Sequence, residues 1–237
     1  MNWEEWEPFY LDIVKQLGLS PSADQEATRL LSSLLADVDT VPLIEHLNRI
    51  LNNKSVVVCG AGPSLDRHLD VISAARDLEN ATYVAVDGAA SAFIDTGQKC
   101  DIVVTDLDGN LEDIESVIEH GALSIVHAHG DNIDKIRQFV PRLSSVLGST
   151  QVEPLHNVFL WGGFTDGDRA CYIVSHYTPK RIVLAGMDFG ETVGRWSKPG
   201  HSVSFPATER KKIKLKIAED LLAHLWKTTG IEYVVID

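Results

Sequence analysis

Carboxylates recur at the ends of apolar runs in this chain. Residues 102–109, I-V-V-T-D-L-D-G, carry a strand-like run straight into Asp106 and Asp108. Three stretches repeat the pattern: V-A-V-D-G-A at 84–89, H-A-H-G-D-N at 127–132 and G-F-T-D-G-D at 163–168. In an open parallel sheet the carboxyl ends of the strands share one edge, and ligands bind along it. Such an acidic rim suits a hard divalent cation, and Mg²⁺ with nucleotide phosphates is the usual reason for one. Residues i and i+2 of an extended chain point the same way, so Asp106 and Asp108 are expected to face one cation. Taken alone, the pair also fits an acidic turn with Asp108 as a helix cap. Asp87, Asp131, Asp166 and Asp168 at equivalent places favour metal, since six unpaired carboxylates on one edge would repel one another. Asp166 also suits simple capping of the helix that follows it.

Other residues fit the same edge. Gly60-Ala-Gly-Pro-Ser64 follows a strand and opens a helix, so backbone amides there would point at an anion. The turn lacks the third glycine of the dinucleotide fingerprint and a tight turn with no ligand also fits, but its place on the same rim as the acids favours binding. His127 and His129 flank Ala128 and share a face. They are read as orienting a substrate or lining the crevice wall, not as ligands, because the acids suit Mg²⁺ better than imidazole does. R-K-K-I-K-L-K at 210–216 opens a long helix, where Lys211, Lys212 and Lys214 either clamp phosphates or form a solvated face. The preceding stretch, 187–205, is longer than most loops and reads as a lid over an active site. Trp196 within it suits stacking on a flat ring as well as wall packing.

Positioning these groups takes alternating elements. Strands are expected at 55–59, 81–86, 101–105, 123–128, 181–185 and 232–236, with shorter candidates at 145–147 and 158–161. Helices are expected at 65–76, 89–96, 111–120, 133–139, 165–176 and 207–227. That alternation predicts an α/β fold with a doubly wound, mostly parallel, Rossmann-like sheet. Residues 1–53 read as a small helical cap, with Trp3, Trp6, Phe9, Tyr10 and Ile13 at helical spacing and Ser20-Pro21 opening a second helix. Residues 54–237 form the expected α/β nucleotide-binding catalytic domain.

The totals agree. A chain of 237 residues, 44% hydrophobic and 23% charged, has ample material for a core. Its net charge of −13 disfavours nucleic acid or an anionic membrane as partner. No apolar run approaches a membrane span, and the acidic start M-N-W-E-E-W lacks the apolar segment of a signal peptide. Three scattered cysteines, Cys59, Cys100 and Cys171, suit free thiols in a reducing cytoplasm. An apolar face on the first helices would suit a homodimer, but nothing fixes the oligomeric state.

Together, G-A-G-P-S-L at 60–65, D-G-A at 87–89, T-D-L-D-G at 105–109, H-A-H-G-D-N at 127–132, G-F-T-D-G-D-R-A at 163–170, A-G-M-D-F-G at 185–190 and the basic helix start resemble the archaeal 6-hydroxymethyl-7,8-dihydropterin pyrophosphokinase family. That family is distantly similar to thiamin pyrophosphokinases. The resemblance covers about residue 55 to the end. It implies Mg²⁺-dependent transfer of pyrophosphate from ATP to the pterin hydroxymethyl group, release of AMP, and a role in folate or methanopterin biosynthesis in an archaeal cytoplasm.

On that reading Asp106, Asp108, Asp166 and Asp168 hold metal, with Asp87 and Asp131 as further ligands or support. Gly60, Gly62, Ser64, Asp87, Gly88 and Lys211 meet the nucleotide. Lys212 and Lys214 close on the phosphates, and Asp131 accepts the hydroxyl proton. His129, Asn132 and Trp196 meet the pterin. Related domains occur in proteins of sugar transfer. A metal-dependent glycosyltransferase using a nucleotide sugar, or a nucleotide-sensing module without turnover, therefore stand as alternatives.

Overall fold

The computed structural model describes residues 1–236. Three helices come first: α1 (Trp3–Leu17), α2 (Pro21–Leu34) and α3 (Val41–Leu51). Asn2 and Glu5 cap α1 reciprocally, and Ser20 caps α2 ahead of Pro21. The chain then alternates through β1 (Ser55–Cys59), α4 (Leu65–Ala74), β2 (Thr82–Val86), α5 (Ala89–Thr96), β3 (Ile102–Thr105), α6 (Leu111–Glu119), β4 (Leu123–Ala128), α7 (Ile133–Phe139), β5 (Val146–Thr150) and β6 (Val158–Phe159). It closes with α8 (Asp166–His176), β7 (Arg181–Ala185), the short strands β8 (Thr192–Val193) and β9 (Phe205–Pro206), α9 (Glu209–Thr229) and β10 (Tyr233–Val235).

Eight strands form one sheet in the order β10-β7-β1-β2-β3-β4-β5-β6, and every neighbouring pair is parallel. The doubly wound α/β fold is thus as the sequence predicts. Parallel strands covered on both faces need apolar residues at nearly every position, as in Val56-Val57-Val58. Alternate residues go to opposite layers. Val56 and Val58 join Trp6, Leu47, Ile173 and Leu221, from α1, α3, α8 and α9. Val57 and Cys59 join Leu31, Leu69, Phe93, Ile114 and Ile136, from α2, α4, α5, α6 and α7. The N-terminal helices therefore straddle the sheet, α1 and α3 on one face and α2 on the other.

From β1 the strands step one way to β6, and β7 returns to the other side of β1. The long stretch after β7 is not structureless. Its short strands β8 and β9 pair as an antiparallel ribbon, and a turn at Arg195–Ser197 lies between them. Among the described residues, no helix is long and apolar enough to cross a membrane.

Candidate active site

A crevice of about 410 Å³ runs along the carboxyl edge of the sheet. Asp87 ends β2 and Asp106 ends β3, while Asp166 opens α8, which packs across β1, β2 and β3. Carboxylate oxygens of these three residues all lie within 4.8 Å of one another. Asp87 is held at a positive φ of 45° and its Oδ1 accepts the Thr105 hydroxyl at 2.6 Å. Burial, then the charge of Asp106, pushes the Asp87 carboxyl up to about 6 and raises Asp166 well above the usual range. Burial opposes ionisation of Asp106 as well, yet the neighbouring His129 and Lys198 hold it below its ordinary value. Three close acids, two of them pushed toward protonation by burial and mutual repulsion, form an oxygen donor set that suits a hard divalent cation.

Asp108 does not join them, contrary to the alternation argument. Leu107 adopts a positive φ of 66°, and the Asp108 N–H folds back onto Asp106 Oδ1 at 3.1 Å. The strand has already ended, so the same-side rule for i and i+2 no longer applies. Asp108 turns instead to Lys135 on α7, at 2.6 Å, and to Lys198 on its other oxygen. Against the effect of burial, this pair of lysines brings its carboxyl down to about 2.

Asp168 is also corrected. It is fully buried and serves a capping box, its oxygens accepting from Phe164 N at 2.7 Å, Thr165 N at 2.8 Å and the Thr165 hydroxyl at 2.5 Å. Asp168 does not line the crevice, and Asp166, the other candidate for that cap, is the acid that does. Between them in charge lies Arg169, wholly buried. Its Nη2 donates to the Phe164 carbonyl at 2.8 Å, while Nε and Nη1 have no hydrogen-bond partner among the described residues. Burial lowers the Arg169 pKa and the fields of Asp166, Asp168, Asp106 and Asp24 oppose that, so its cation is the inner counter-charge of the acidic rim.

Three amides of the glycine turn are already engaged within the protein. Gly60 N–H donates to Ala185 O at 2.8 Å and Gly62 N–H to Gly186 O at 2.9 Å. Ser64 N–H and hydroxyl both donate to Asp188 Oδ2, at 3.1 and 2.7 Å. The glycines are needed for backbone contact: a Cβ at Gly60 or Gly62 would meet Gly186 O at 2.6 Å. Gly60 and Gly62 still line the crevice as a bare wall; Ser64 does not. Gly88 opens α5 beside Asp87, and a Cβ there would lie 1.9 Å from Trp196 O.

The basic helix divides by face. Lys211 and Lys214 line the crevice, and among the described residues neither has a carboxylate within ion-pair distance. Burial, with Lys214 and Lys198 nearby, lowers the Lys211 pKa. Lys212 is turned aside to Glu191 and Glu209, at 3.2 and 3.1 Å, and is not part of the wall. Arg210 reaches the crevice but gives Nη1 to Leu17 O at 2.7 Å.

Two expected pterin contacts are committed elsewhere. Asn132 is buried; its amide donates to Asp106 O at 2.8 Å and His127 O at 2.7 Å, and its oxygen accepts from His129 N at 3.1 Å. It fixes the Asp106 turn and offers nothing to a ligand. Trp196 gives its indole N–H to Asp66 at 2.7 Å and lies against Arg195, outside the crevice. Asp66 also takes Arg195 at 2.9 and 3.0 Å, and this clasp ties the 194–198 turn to α4 and carries Lys198 to Asp108.

His129 does line the crevice. The Asp131 N–H donates to its Nδ1 at 3.3 Å, which leaves the proton on Nε2, 3.5 Å from Asp106 Oδ2. His127 stacks on it at 5.9 Å, and burial keeps the His127 imidazole well below its usual pKa, hence neutral. Asp131 sits exposed at the mouth.

Asp24, Gln151 and Lys198 also line the crevice, Lys135 lies behind Asp108, and none of the four had a legible signal. Asp24 reads as an acid in the first turn of a helix, and Gln151 and the two lysines lie in no motif. Asp24 comes from α2, far from the sheet in sequence, and accepts from Tyr10 at 2.6 Å, Gln151 at 2.8 Å and Gly130 N at 2.7 Å.

Residues 32–194 match the family model described as 6-hydroxymethylpterin diphosphokinase MptE-like. The chain is 45% identical over 225 residues to the 6-hydroxymethyl-7,8-dihydropterin pyrophosphokinase of Pyrococcus furiosus, covering 95% of this chain and 94% of that one. The protein of the same name from Methanocaldococcus jannaschii is 36% identical over 241 residues, covering 99% and 100%. Among solved structures, the MAf glycosyltransferase from Magnetospirillum magneticum AMB-1 superposes with a TM-score of 0.54 at 14% identity. That match covers 93% of this chain and 39% of the other, and at this identity it shows a shared fold alone.

Proposed function

Because this chain belongs to the MptE-like 6-hydroxymethylpterin diphosphokinase family, we propose that it transfers the terminal diphosphate of ATP to the hydroxymethyl group of 6-hydroxymethyl-7,8-dihydropterin. The substrate oxygen attacks the β-phosphorus, the bond from the β-phosphorus to the oxygen of the α-phosphate breaks, and AMP leaves. The observation that carries the reading is the Asp87–Asp106–Asp166 group facing Lys211 and Lys214 across one crevice. Acids suited to a cation, opposed by lysines without acidic partners, match the two charge needs of a metal-bound polyphosphate.

Asp87, Asp106 and Asp166 would hold Mg²⁺. Bound there, the ion supplies charge neutralisation on the phosphoryl oxygens. Lys211 and Lys214 bind the phosphates directly, and Lys198, parked on Asp108, lies beside them. Asp131, exposed and with no ion-pair partner among the described residues, accepts the proton of the attacking hydroxyl. Positioning and charge stabilisation account for most of such a transfer. ATP as donor and the free thiols Cys59, Cys100 and Cys171 suit a reducing cytoplasm.

The test is AMP release from ATP, with and without the dihydropterin and with EDTA as control. AMP that forms only when pterin and divalent metal are both present supports the reaction. ADP as product, or no AMP while both substrates bind, overturns it.

A further inference from the structure

The crevice differs chemically on its two sides. The acid triad sits at the ends of β2 and β3, in the middle of the edge. On one side, at the ends of β1 and β7, the wall is mainly backbone and apolar side chains, Gly60, Gly62, Met187, Phe189 and Val193, with Thr192 and with Asp188, whose Oδ2 is taken by Ser64. This largely apolar slot combines bare backbone with a flexible thioether. On the other side, at the ends of β4 and β5, the wall is Asp24, His127, His129 and Gln151. Neighbouring strands stand about 4.8 Å apart, so each flank begins within one or two strand spacings of the triad.

Resting on the diphosphokinase reading, we propose that the polar flank, anchored by Asp24 and Gln151, receives the pterin ring, and that the Met187–Phe189 slot receives the adenine of ATP. The hydrogen-bond directions on the polar flank are fixed. Gln151 Nε2 must donate to the Asp24 carboxylate, at 2.8 Å. Its Oε1 is thereby turned to His127 Nε2, at 3.4 Å. Asp24 Oδ2 is filled by Tyr10 and Gln151, while Oδ1 takes only the Gly130 N–H. The flank therefore offers acceptors, Asp24 Oδ1 and Gln151 Oε1, at a site where only 4% of each residue is exposed.

A buried carboxylate with spare acceptor capacity calls for N–H donors on its ligand. The 2-amino group and adjacent ring N–H of a pterin provide two on one edge. Adenine carries only its amino group and has more to gain from a slot of apolar atoms around its faces. The transferred diphosphate then lies between the rings, over Asp87, Asp106 and Asp166. Asp24 precedes the segment matched by the family model, which begins at residue 32.

Binding of each ligand is measured separately: pterin by its own fluorescence, and Mg·ATP by calorimetry, with no turnover required. Asp24→Asn and Gln151→Leu are expected to weaken pterin binding by about tenfold or more and to leave ATP within about twofold. Met187→Ala is expected to do the reverse. Tyr10→Phe removes a bond to Asp24 without touching the crevice wall, so it lowers the melting temperature but keeps pterin affinity within about threefold. Should Asp24→Asn fail to fold, Gln151→Leu and Met187→Ala still decide the assignment. If the polar-flank variants weaken ATP instead, or both ligands equally, the proposal is overturned. Wild type that binds both ligands on these flanks yet releases no AMP would refute the reaction and keep the assignment. Wild type that binds no pterin would refute both.

Discussion

Asp188 closes the start of α4, taking the Ser64 N–H at 3.1 Å and the Ser64 hydroxyl at 2.7 Å on one carboxylate oxygen. A side chain thus occupies the place where the glycine turn would have offered its amides to a phosphate. Asp188→Ala is expected to lose about 1 kcal/mol of stability, the usual cost of an uncapped helix start. Denaturant unfolding reads that loss. ATP affinity should stay within about threefold; a rise of about tenfold or more would mean that the freed amides take a phosphate.

The lysines of α9 give a second contrast. Lys211→Ala and Lys214→Ala each remove a charged donor facing the crevice, which is worth about 1.5–3 kcal/mol, or roughly tenfold to a hundredfold in ATP affinity. Lys212→Ala removes only surface pairs with Glu191 and Glu209 and should change affinity by less than about threefold. Equal losses in all three variants would mean that the helix face is not divided as described.

Metal binding should depend on pH in a defined direction. The folded-state carboxyls of Asp87, at about 6, and of Asp166 lie above their unfolded values. The metal-free folded chain then holds more protons than the unfolded chain, so both groups cost stability as pH rises above about 4, Asp87 through about 6 and Asp166 in the same direction. Added Mg²⁺ offsets that cost only where the acids are ionised. The thermal midpoint is expected to rise with Mg²⁺ near pH 7.5 and to move little near pH 4.5. In Asp106→Asn the rise near neutral pH should largely vanish, and a wild-type rise of equal size at both pH values would speak against the triad.

Gly88 is the position where a single methyl group does most damage. Its Cβ would lie 1.9 Å from Trp196 O, and the Asp66 clasp leaves the 194–198 turn little room to retreat. Gly88→Ala is expected to displace Lys198 from Asp108 and cut kcat by about tenfold or more, with the fold retained. Trp196→Phe, which loses one hydrogen bond to Asp66 and keeps the ring, should leave pterin affinity unchanged. A loss of pterin affinity there would mean that the indole meets the substrate after all.

The sequence by itself determined the layers, the strand ends and the presence of a site. Continuous apolar runs such as Val56-Val57-Val58 and the helices between them admit little but a covered parallel sheet. Asp87, Asp106 and Asp166 were legible because each follows an apolar run at a turn, a local feature of the chain. What tertiary structure decided is which polar groups remain free. Asp108 and Asp168 carry the same signal as Asp106 and Asp166, yet one is taken by Lys135 and Lys198 and the other by the N–H groups at the start of α8. Asn132 and Ser64 are likewise consumed by partners, several of them distant in sequence. Asp24 gains its role only because α2 folds over the ends of β4 and β5. A carboxylate or lysine is available to a ligand only when no nearer partner has claimed it, and that partner is chosen by the packed fold rather than by neighbours in the chain.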